Sequence, residues 1–401
     1  MRHRKLAAIA IAIAATMTLV MVATTNAART AAATGKPIVI GAAIDLTKNM
    51  APFDAPALEA AQIEIAKINA AGGVNGRPLE LKFINDQLDP TQTKADALKL
   101  VTEGVNIGWV TCDVDAATPA ITEFLAAKLL TVSPCIGTDQ MGPSRFGAAG
   151  QLAYTFGNPA QQDGAAVAEY AISRGWKTAD VVTDKLLVYF QNVCQGFTLR
   201  FKQLGGTIVD QESFTQGDKT INNVATRVNG KPAKVIAFCT SFAADQPAFV
   251  SSLRTLGNNT PIIDGWASDG AYWWPKNPKV TNFYFLTYAS ALAPDPSAAV
   301  RAFEAKMAAI KQPAQTGGFI TGADAIDAIV YAIKKAGGST NGAKLAAVLS
   351  HLTKFKTLGG PISFTPTFHS VTGRPYRVIV VNNNHAKFLK LHAAQKIPNI
   401  H

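Results

Sequence analysis

The sequence predicts an α/β protein of two lobes, and three observations support that prediction. The 401 residues are 48% hydrophobic and 16% charged, a composition that can bury a large core over roughly two to three domains. Apolar runs of strand length alternate with helical patterns, which indicates parallel sheets covered on both faces. The alternation restarts after Gly157-Asn158-Pro159. We therefore expect a second lobe of similar size.

The N-terminus has the features of an export signal. Three basic residues among the first five precede an uncharged stretch over residues 6–26, and Ala27-Ala28 follow. A basic start, an apolar middle and a small-residue cleavage site are typical of a secretory signal peptide. We expect a signal peptide over residues 1–27 and a small-residue linker over residues 28–35.

A retained membrane anchor is the alternative for this segment, because residues 6–23 reach the lower length limit of a spanning helix. The first cysteine is Cys112, so no lipid-modified cysteine follows the signal. We expect a mature protein that is free in the periplasm or secreted. Loss of the three leader charges lowers the formal net charge from +11 to +8. No basic tract with interleaved aromatic residues remains, and we predict no nucleic-acid partner.

Four apolar runs predict the strands of the first lobe. They span residues 39–46, 79–86, 106–112 and 130–135. Between the first two runs, apolar residues recur at helical spacing from Ala57 to Ile68, and Ala71-Gly72-Gly73 supplies a helix stop. Asp89-Pro90 then opens a second helix as its N-cap and first helical residue.

The second half of the chain repeats the alternation of strand and helix. Its strand-like runs span residues 181–184, 207–214, 235–239, 261–265 and 283–289, and its helical segments span residues 193–204, 247–256, 298–310 and 323–336. We predict that the chain then ends in an antiparallel pair between residues 362–364 and 376–382.

Short catalytic signatures are absent from the sequence. It contains no GxSxG, HExxH or GxxxxGKS/T motif, and no GxGxxG follows the first strand. Ligands of open α/β sheets bind beyond the carboxyl ends of the strands, so a cleft between the lobes is the expected ligand site. The sequence thus shows no catalytic signature, and the cleft is the place to look for a ligand.

Four segments resemble one known family. IGAAIDLTKNM starts at residue 40, INAAGGVNGRPLELKFINDQLDPTQ at residue 68, WVTCDVDAATPAI at residue 109 and LLTVSPC at residue 129. They resemble type I periplasmic solute-binding proteins of the branched-chain amino acid (Leu/Ile/Val) ABC transporter family. INAAGGVNGRPLEL is the most specific of these stretches, and the resemblance covers essentially the mature chain.

The resemblance implies a fold and a role. The fold is two Rossmann-like, doubly wound parallel-sheet lobes joined by three hinge crossovers that close over a small solute. The N-terminal lobe is expected over residues 36–157 plus 288–361, and the C-terminal lobe over residues 158–287 plus 362–401. The implied protein is a monomeric binding protein, not an enzyme, with no cofactor and no metal. It delivers its solute to the membrane permease subunits of an ABC importer. A ligand-sensing module of the same fold is the alternative, followed by an exported α/β enzyme with Asp113 or Asp184 as general base.

The resemblance also implies ligand-binding positions in the first lobe. The aromatic residue over the ligand falls on Phe53. Asp113 takes the place of a common serine that holds the ligand carboxylate. Cys135 and Gly137 follow the fourth strand, where a threonine is usual among amino acid binders.

In the second lobe the implied aromatic residues fall on Tyr189 or Phe190 and on Phe242. The acidic residue that pairs with an ammonium group falls on Trp266. A tryptophan cannot accept a hydrogen bond from an ammonium group, and a carboxylate beside a ligand carboxylate is costly in a closed cleft.

These replacements favour a solute other than leucine. We expect an aromatic cleft for a small flat or apolar solute, whether amino acid-like, amide or aromatic, with Asp113 and Asp115 as hydrogen-bond acceptors. The structural alternatives are that Asp113 caps the helix that starts near residue 116 and that Trp266 packs at the hinge.

The four cysteines have no CxxC spacing, and four cysteines allow three pairings among which the sequence does not choose. Export favours disulfides. The sheet order that the resemblance implies makes Cys112 with Cys135 and Cys194 with Cys239 the feasible pairs, since neighbouring strands lie about 4.8 Å apart. Buried free thiols are the alternative.

Overall fold

A computed structural model of the protein describes residues 33–400. The predicted signal peptide lies outside the described residues, and the predicted linker falls within them only from residue 33. Between residues 33 and 400, no helix combines the length and apolar character needed to cross a membrane.

The first lobe is built on a five-stranded sheet in which all strands are parallel. The strand order is β2-β1-β3-β4-β5. The strands are β1 (Ile38–Ile44), β2 (Leu79–Asn85), β3 (Ile107–Val110), β4 (Leu130–Ser133) and β5 (Ala153–Thr155). The connecting helices are α1 (Ala51–Ala70), α2 (Pro90–Thr102), α3 (Val114–Ala126) and the short α4 (Pro143–Phe146), which a 3-10 turn over Gly147–Leu152 follows. The apolar runs of the sequence predict β1, β3 and β4 because strands buried on both faces read as continuous apolar segments, whereas the predicted β2 is a partly exposed edge strand.

The second lobe is built on a seven-stranded mixed sheet with the order β14-β13-β10-β9-β8-β6-β7. Its strands are β6 (Thr178–Asp184), β7 (Thr207–Phe214), β8 (Val235–Cys239), β9 (Ile262–Asp264), β10 (Phe283–Thr287), β13 (Tyr376–Asn382) and β14 (His385–His392). Its helices are α5 (Ala160–Ser173), α6 (Val188–Gln203), α7 (Ile221–Asn229) and α8 (Asp245–Thr255). Only the β10–β13 and β13–β14 pairs of this sheet are antiparallel.

The segment between β10 and β13 returns to the first lobe. It forms α9 (Ala298–Ala309), α10 (Phe319–Lys335), α11 (Gly342–Leu349) and a hairpin of β11 (Phe355–Thr357) with β12 (Gly360–Ile362). Helix α10 packs against α1, and its apolar residues share a core with β1 and β3.

The predicted antiparallel pair at the end of the chain is wrong. Residues 360–362 pair with β11, and β13 lies between β10 and β14. Asn383 and Asn384 both have a positive φ, of 53° and 60°, and asparagine favours that conformation in the tight turn of a hairpin. Strand β14 was not predicted, because this edge strand alternates lysine with apolar residues and is largely exposed.

The chain passes between the two sheets three times, and one buried side chain joins the three crossings. Arg374, in the last crossing, donates to the carbonyl of Phe156 in the first crossing at 2.7 Å. Its guanidinium lies 5.2 Å from the ring centre of Tyr288 in the second crossing and forms a fully buried ion pair with Asp324 at 2.8 Å. A buried charge is tolerated only when it is paired and hydrogen-bonded, so these contacts fix where the three crossings meet.

Candidate functional site

A cavity lies between the two lobes, beyond the carboxyl ends of the parallel strands. Its volume is about 30 Å³, which is room for one or two water molecules. The first lobe lines it with Met50, Phe53, Cys112, Asp113 and Gly137, and the second lobe with Leu187, Tyr189, Phe190, Ser241, Phe242, Trp266 and Ala267. One carboxylate, five aromatic rings and no lysine, arginine or histidine are in this set.

Most of the predicted ligand-binding residues meet at this cavity. Phe53, Asp113, Gly137, Tyr189, Phe242 and Trp266 line it, and so does Phe190, which the sequence left as the alternative to Tyr189. Two of the predicted residues do not line it. Cys135 is fully buried and bonded to Cys112. Asp115 is exposed and forms an ion pair with Arg145 at 2.7 Å; the structure therefore gives no support to Asp115 as a ligand acceptor.

Two buried aspartates hold Phe53 in place. Asp45, which follows β1, accepts hydrogen bonds from backbone N–H groups of the next loop, including that of Met50 at 2.9 Å. Asp54, in the first turn of α1, accepts from the backbone N–H of Asp45 at 3.1 Å and of Cys112 at 3.0 Å. Burial raises the pKa of the Asp54 carboxyl well above its ordinary value. Together these bonds tie the start of α1 to the ends of β1 and β3.

The first disulfide, Cys112–Cys135, lies beside Asp54 under the first-lobe side of the cavity. Its Cα atoms are 4.8 Å apart, within the range of disulfides. The Asp54 carboxylate and the two sulfur atoms lie within 4.8 Å of one another. Because the sulfur atoms are bonded to each other, they are not the free thiolates that a metal would need.

Asp113 both lines the cavity and caps a helix. Its Oδ1 accepts the backbone N–H of Ala116 at 2.8 Å, so it is the N-cap of α3. Burial is the main reason that the pKa of Asp113 is raised to about 6. The side chain is therefore mostly charged at neutral pH. Asp113 therefore caps α3 and lines the cavity at the same time, and its contact with a ligand stays a prediction.

The aromatic side chains pack against one another across the cleft. The ring centre of Phe53 lies 5.0 Å from that of Trp266 and 6.5 Å from that of Phe242. Trp266 also stacks on Tyr288 at the hinge, with ring centres 4.8 Å apart and an angle of 14°. Hinge packing and cavity lining are again combined in one residue. The buried indole N–H of Trp266 has no hydrogen-bond partner within the described residues.

Asp163 supports the second-lobe side from behind. It lies in the first turn of α5, is fully buried, and accepts the hydroxyl of Tyr189 at 2.5 Å and that of Tyr376. Its Oδ2 also accepts the backbone N–H of Trp266 at 3.4 Å. Burial raises the pKa of Asp163 to about 7. This carboxyl fixes the tyrosine ring that faces the first lobe.

Asp264, the last residue of β9, positions the loop that carries Trp266. It accepts the backbone N–H of Gly265 at 2.6 Å and the hydroxyl of Ser268 at 2.5 Å. Burial raises its pKa well above the ordinary value. The neighbouring Ser241 donates to the carbonyl of Ala267 at 2.6 Å. The loops after β8 and β9 are therefore bound together at the cavity.

Phe242 adopts a backbone conformation that large residues rarely show. Its φ is +72°, in the left-handed region that costs a non-glycine residue about 1–2 kcal/mol. Such strain persists where the surroundings enforce it, and it is concentrated at functional sites. Phe242 lines the cavity and is almost fully buried.

The lobes contact closely around Gly137. A Cβ atom on Gly137 would lie 2.4 Å from the ring of Tyr189, so only glycine allows the tyrosine to approach across the cleft. A hydrogen bond also joins the two sides: Gln161 of α5 donates to Asp139 of the first lobe at 2.7 Å.

Sequence reasoning missed several residues of the site. Met50, Leu187, Ser241 and Ala267 line the cavity, and each lies in a loop after a strand, next to or near a predicted residue. The rule that ligands bind beyond strand ends would have found them. Asp163 carries no such signal, because it lies inside a helix and acts on Tyr189 from behind.

The second disulfide joins α6 to the end of β8. Cys194 and Cys239 have Cα atoms 5.7 Å apart, so the structure contains both pairs that the sheet order made feasible. Among the described residues there is no free cysteine.

Comparisons with known proteins agree with this geometry. The profile of the periplasmic binding protein family matches residues 37–386. Leu/Ile/Val-binding protein homolog 3 of Brucella melitensis is 26% identical over 337 residues, which covers 82% of this chain and 88% of the relative. An amino acid binding protein of Pseudomonas aeruginosa is 26% identical over 275 residues, with 67% of this chain and 72% of the relative covered.

Solved structures share the fold at lower identity. The branched-chain amino acid transporter substrate binding protein of Streptococcus pneumoniae, solved with isoleucine, has a TM-score of 0.75 at 21% identity and covers 88% of this chain and 99% of its own. A solute binding protein of an ABC transporter from Rhodopseudomonas palustris, solved with 4-hydroxybenzoate, has a TM-score of 0.77 at 16% identity, with 90% and 98% covered. The family profile spans most of the chain and the two-lobed architecture agrees with it, so this protein belongs to the periplasmic binding protein family.

Proposed function

We propose that this protein is the exported solute-binding subunit of an ABC importer, and that it captures a small flat or apolar solute by closure of its two lobes without converting it. The cavity between the lobes is the observation that carries the proposal, because residues of both lobes line it at the strand ends. The relatives are named as binding proteins, and none of the names given above is that of an enzyme.

Opening and closing of the lobes is part of this proposal. The cavity, at about 30 Å³, is too small to hold a solute of the size of leucine. Phe53 of the first lobe and Trp266 of the second fill the space between the lobes. A solute must therefore enter while the lobes are apart and take the place of some of these aromatic contacts.

The ligand is proposed to differ from leucine, isoleucine and valine. Asp113 would face the carboxylate of an amino acid, and Trp266 would face its ammonium group. Loss of one charged contact in a buried site costs about 2–5 kcal/mol. Two such losses turn a sub-micromolar binder into a millimolar one.

Isothermal titration calorimetry with a panel of solutes tests the proposal. The panel contains the three branched-chain amino acids, benzamide, urea, benzoate and 4-hydroxybenzoate, and small-angle X-ray scattering follows lobe closure. We expect at least one amide or aromatic compound to bind at least a hundredfold more tightly than leucine and to reduce the radius of gyration. Sub-micromolar leucine binding would contradict the ligand class. Turnover of a bound solute would contradict the binding role.

Export and partners belong to the same proposal. We propose that the signal peptide over residues 1–27 is removed and that the monomeric protein works in the periplasm with membrane permease subunits. Mass spectrometry of protein from the native envelope should find an N-terminus near Ala28. Full-length protein confined to the membrane fraction would contradict cleavage, and native mass spectrometry of the purified protein tests the monomer.

A further inference from the structure

The charges around the inter-lobe cavity are unbalanced. Asp113 is the one carboxylate among the lining residues, and no lysine, arginine or histidine lines the cavity. Asp113 is 5% exposed, and none of the ion pairs in residues 33–400 involves it. The cavity therefore offers a solute one negative charge and no positive charge.

Two nearby sources of positive potential are already occupied. The positive end of the α3 dipole is capped by the Asp113 carboxylate itself. Arg145 is bound to Asp115 at 2.7 Å and does not line the cavity. A carboxylate ligand would thus meet a like charge without a cation to balance it, which is unfavourable in a site of low dielectric constant.

The rest of the lining suits a cation. Phe53, Tyr189, Phe190, Phe242 and Trp266 all line the cavity. The electron-rich faces of aromatic rings attract cations, most strongly when water is excluded, and groups of such rings recognise quaternary ammonium compounds. The hydroxyl of Tyr189 is engaged by Asp163, so the ring, and not its polar end, is what it presents to a solute.

We propose that the cleft selects a small organic cation of the alkylammonium class, held among the aromatic rings and balanced by Asp113. This inference rests on the proposed function and specifies the charge of the solute: its alkyl groups contact the aromatic rings, and Asp113 balances its positive charge. It distinguishes the protein from a binder of aromatic acids, because no lysine, arginine or histidine lines the cavity to balance the charge of a carboxylate. The proposal also distinguishes the protein from an amino acid binder, because an amino acid needs partners for both its carboxylate and its ammonium group.

Calorimetry with matched probes at pH 7.5 tests this proposal. The probes are choline, its uncharged isostere 3,3-dimethylbutan-1-ol, benzamide and benzoate. Choline should bind at least tenfold more tightly than 3,3-dimethylbutan-1-ol, and benzoate should bind most weakly. Equal affinity for choline and its isostere would show selection by shape alone and overturn the proposal. Tighter binding of benzoate than of choline would overturn it as well.

The variant Asp113→Asn locates the charge. Asparagine is also a good N-cap, so the variant keeps the start of α3 while it removes the carboxylate. It should weaken choline binding at least tenfold and leave 3,3-dimethylbutan-1-ol unchanged. Asp89→Asn is the matched control, since Asp89 caps α2 through the backbone N–H of Gln92 at the same 2.8 Å and lies outside the cavity. Unchanged choline affinity in Asp113→Asn would overturn the proposal.

The two levels of inference fail separately. If benzamide or an amino acid binds and closes the lobes while choline does not bind, the ligand class is wrong and the binding role stands. If choline is bound and then chemically altered, the binding role is wrong although the charge preference holds.

Discussion

The two sides of the cleft are built from different chemistry. The first lobe contributes the one carboxylate, Asp113, on the rigid N-terminus of a helix beside a disulfide. The second lobe contributes four aromatic rings on loops and on a helix start, of which Tyr189 is braced by a buried carboxyl. The carboxylate thus comes from the first lobe, and four of the five aromatic side chains come from the second, with Phe53 as the exception. Under the proposed function, a solute contacts both kinds of group only when the lobes close.

Removal of the disulfides is expected to have the largest effect on stability. The loop closed by Cys194–Cys239 spans 45 residues and that closed by Cys112–Cys135 spans 23. The chain-entropy relation gives about 4 kcal/mol for the longer loop and about 3 kcal/mol for the shorter. Denaturant unfolding of the two double Cys→Ala variants checks this order. Peptide mapping without reductant should recover both linked pairs, and four alkylatable thiols in the oxidised protein would refute the pairing.

The aromatic side is tested by Trp266→Ala. Buried tryptophans are frequent hot spots that contribute at least about 2 kcal/mol to binding, so the affinity for the best solute of the panel should fall at least about 30-fold. Trp176→Ala is the control, because Trp176 packs on Tyr170 and Tyr284 in the same lobe and does not line the cavity. Calorimetry on both variants makes the comparison. Equal losses would show that Trp266 acts through the stability of the lobe alone.

The buried carboxyls of the second lobe make stability depend on pH. Burial raises the pKa values of Asp163 and Asp269 to about 7 each, whereas an aspartate of the unfolded chain titrates near about 3.9. The folded state therefore binds these protons more tightly, and the stability they contribute is lost as pH rises through about 7. The free energy of unfolding should fall by about 1 kcal/mol per group between pH 6 and pH 8.

Asp163→Asn should reduce the fall in the free energy of unfolding between pH 6 and pH 8 by about 1 kcal/mol, the contribution of one carboxyl group. Asp89→Asn changes an exposed aspartate and should leave the slope as it is. Urea unfolding at several pH values measures both. A free energy of unfolding that rises with pH over this range in the unmodified protein would contradict the assignment.

The smallest expected effect concerns the strained backbone at Phe242. Because its φ is +72°, Phe242→Gly should be more stable than Phe242→Ala by about 1 kcal/mol. Phe197, inside α6, should show the opposite order by a similar amount, because glycine weakens a helix interior. Thermal unfolding of the four variants decides the matter. The same order at both positions would mean that Phe242 is not held in this conformation.

The first lobe shows what the sequence could predict. Its strands β1, β3 and β4 are buried, so their apolar runs mark their positions to within a few residues, whereas the three-residue β5 is not predicted. The strand ends before Asp113 and Gly137 mark the cleft. Asp113, the N-cap of α3 with extended backbone, lines the cavity, whereas Asp115 in the first helical turn points outward to Arg145.

The second lobe shows where prediction from the sequence stopped. Strand β14 has the alternating, lysine-rich pattern of an exposed edge, which resembles a loop when its partner β13 is not yet known. Asp163 acts on Tyr189, 26 residues away along the chain, and no local motif records that contact. The lobe boundaries along the crossings and the roles of the lining residues stay predictions.

The meeting of three chain crossings at Arg374 has a mechanical consequence. Two bodies joined by a single strand can bend, twist and slide, but a shared buried contact from Arg374 to Phe156, Tyr288 and Asp324 resists twisting and sliding alike. A second pair, Arg377 with Asp295 at 2.8 Å, reinforces the same point. We expect the lobes to retain one low-energy motion, a rotation about this point. The ligand-bound and ligand-free states should then differ in a single angle between the lobes.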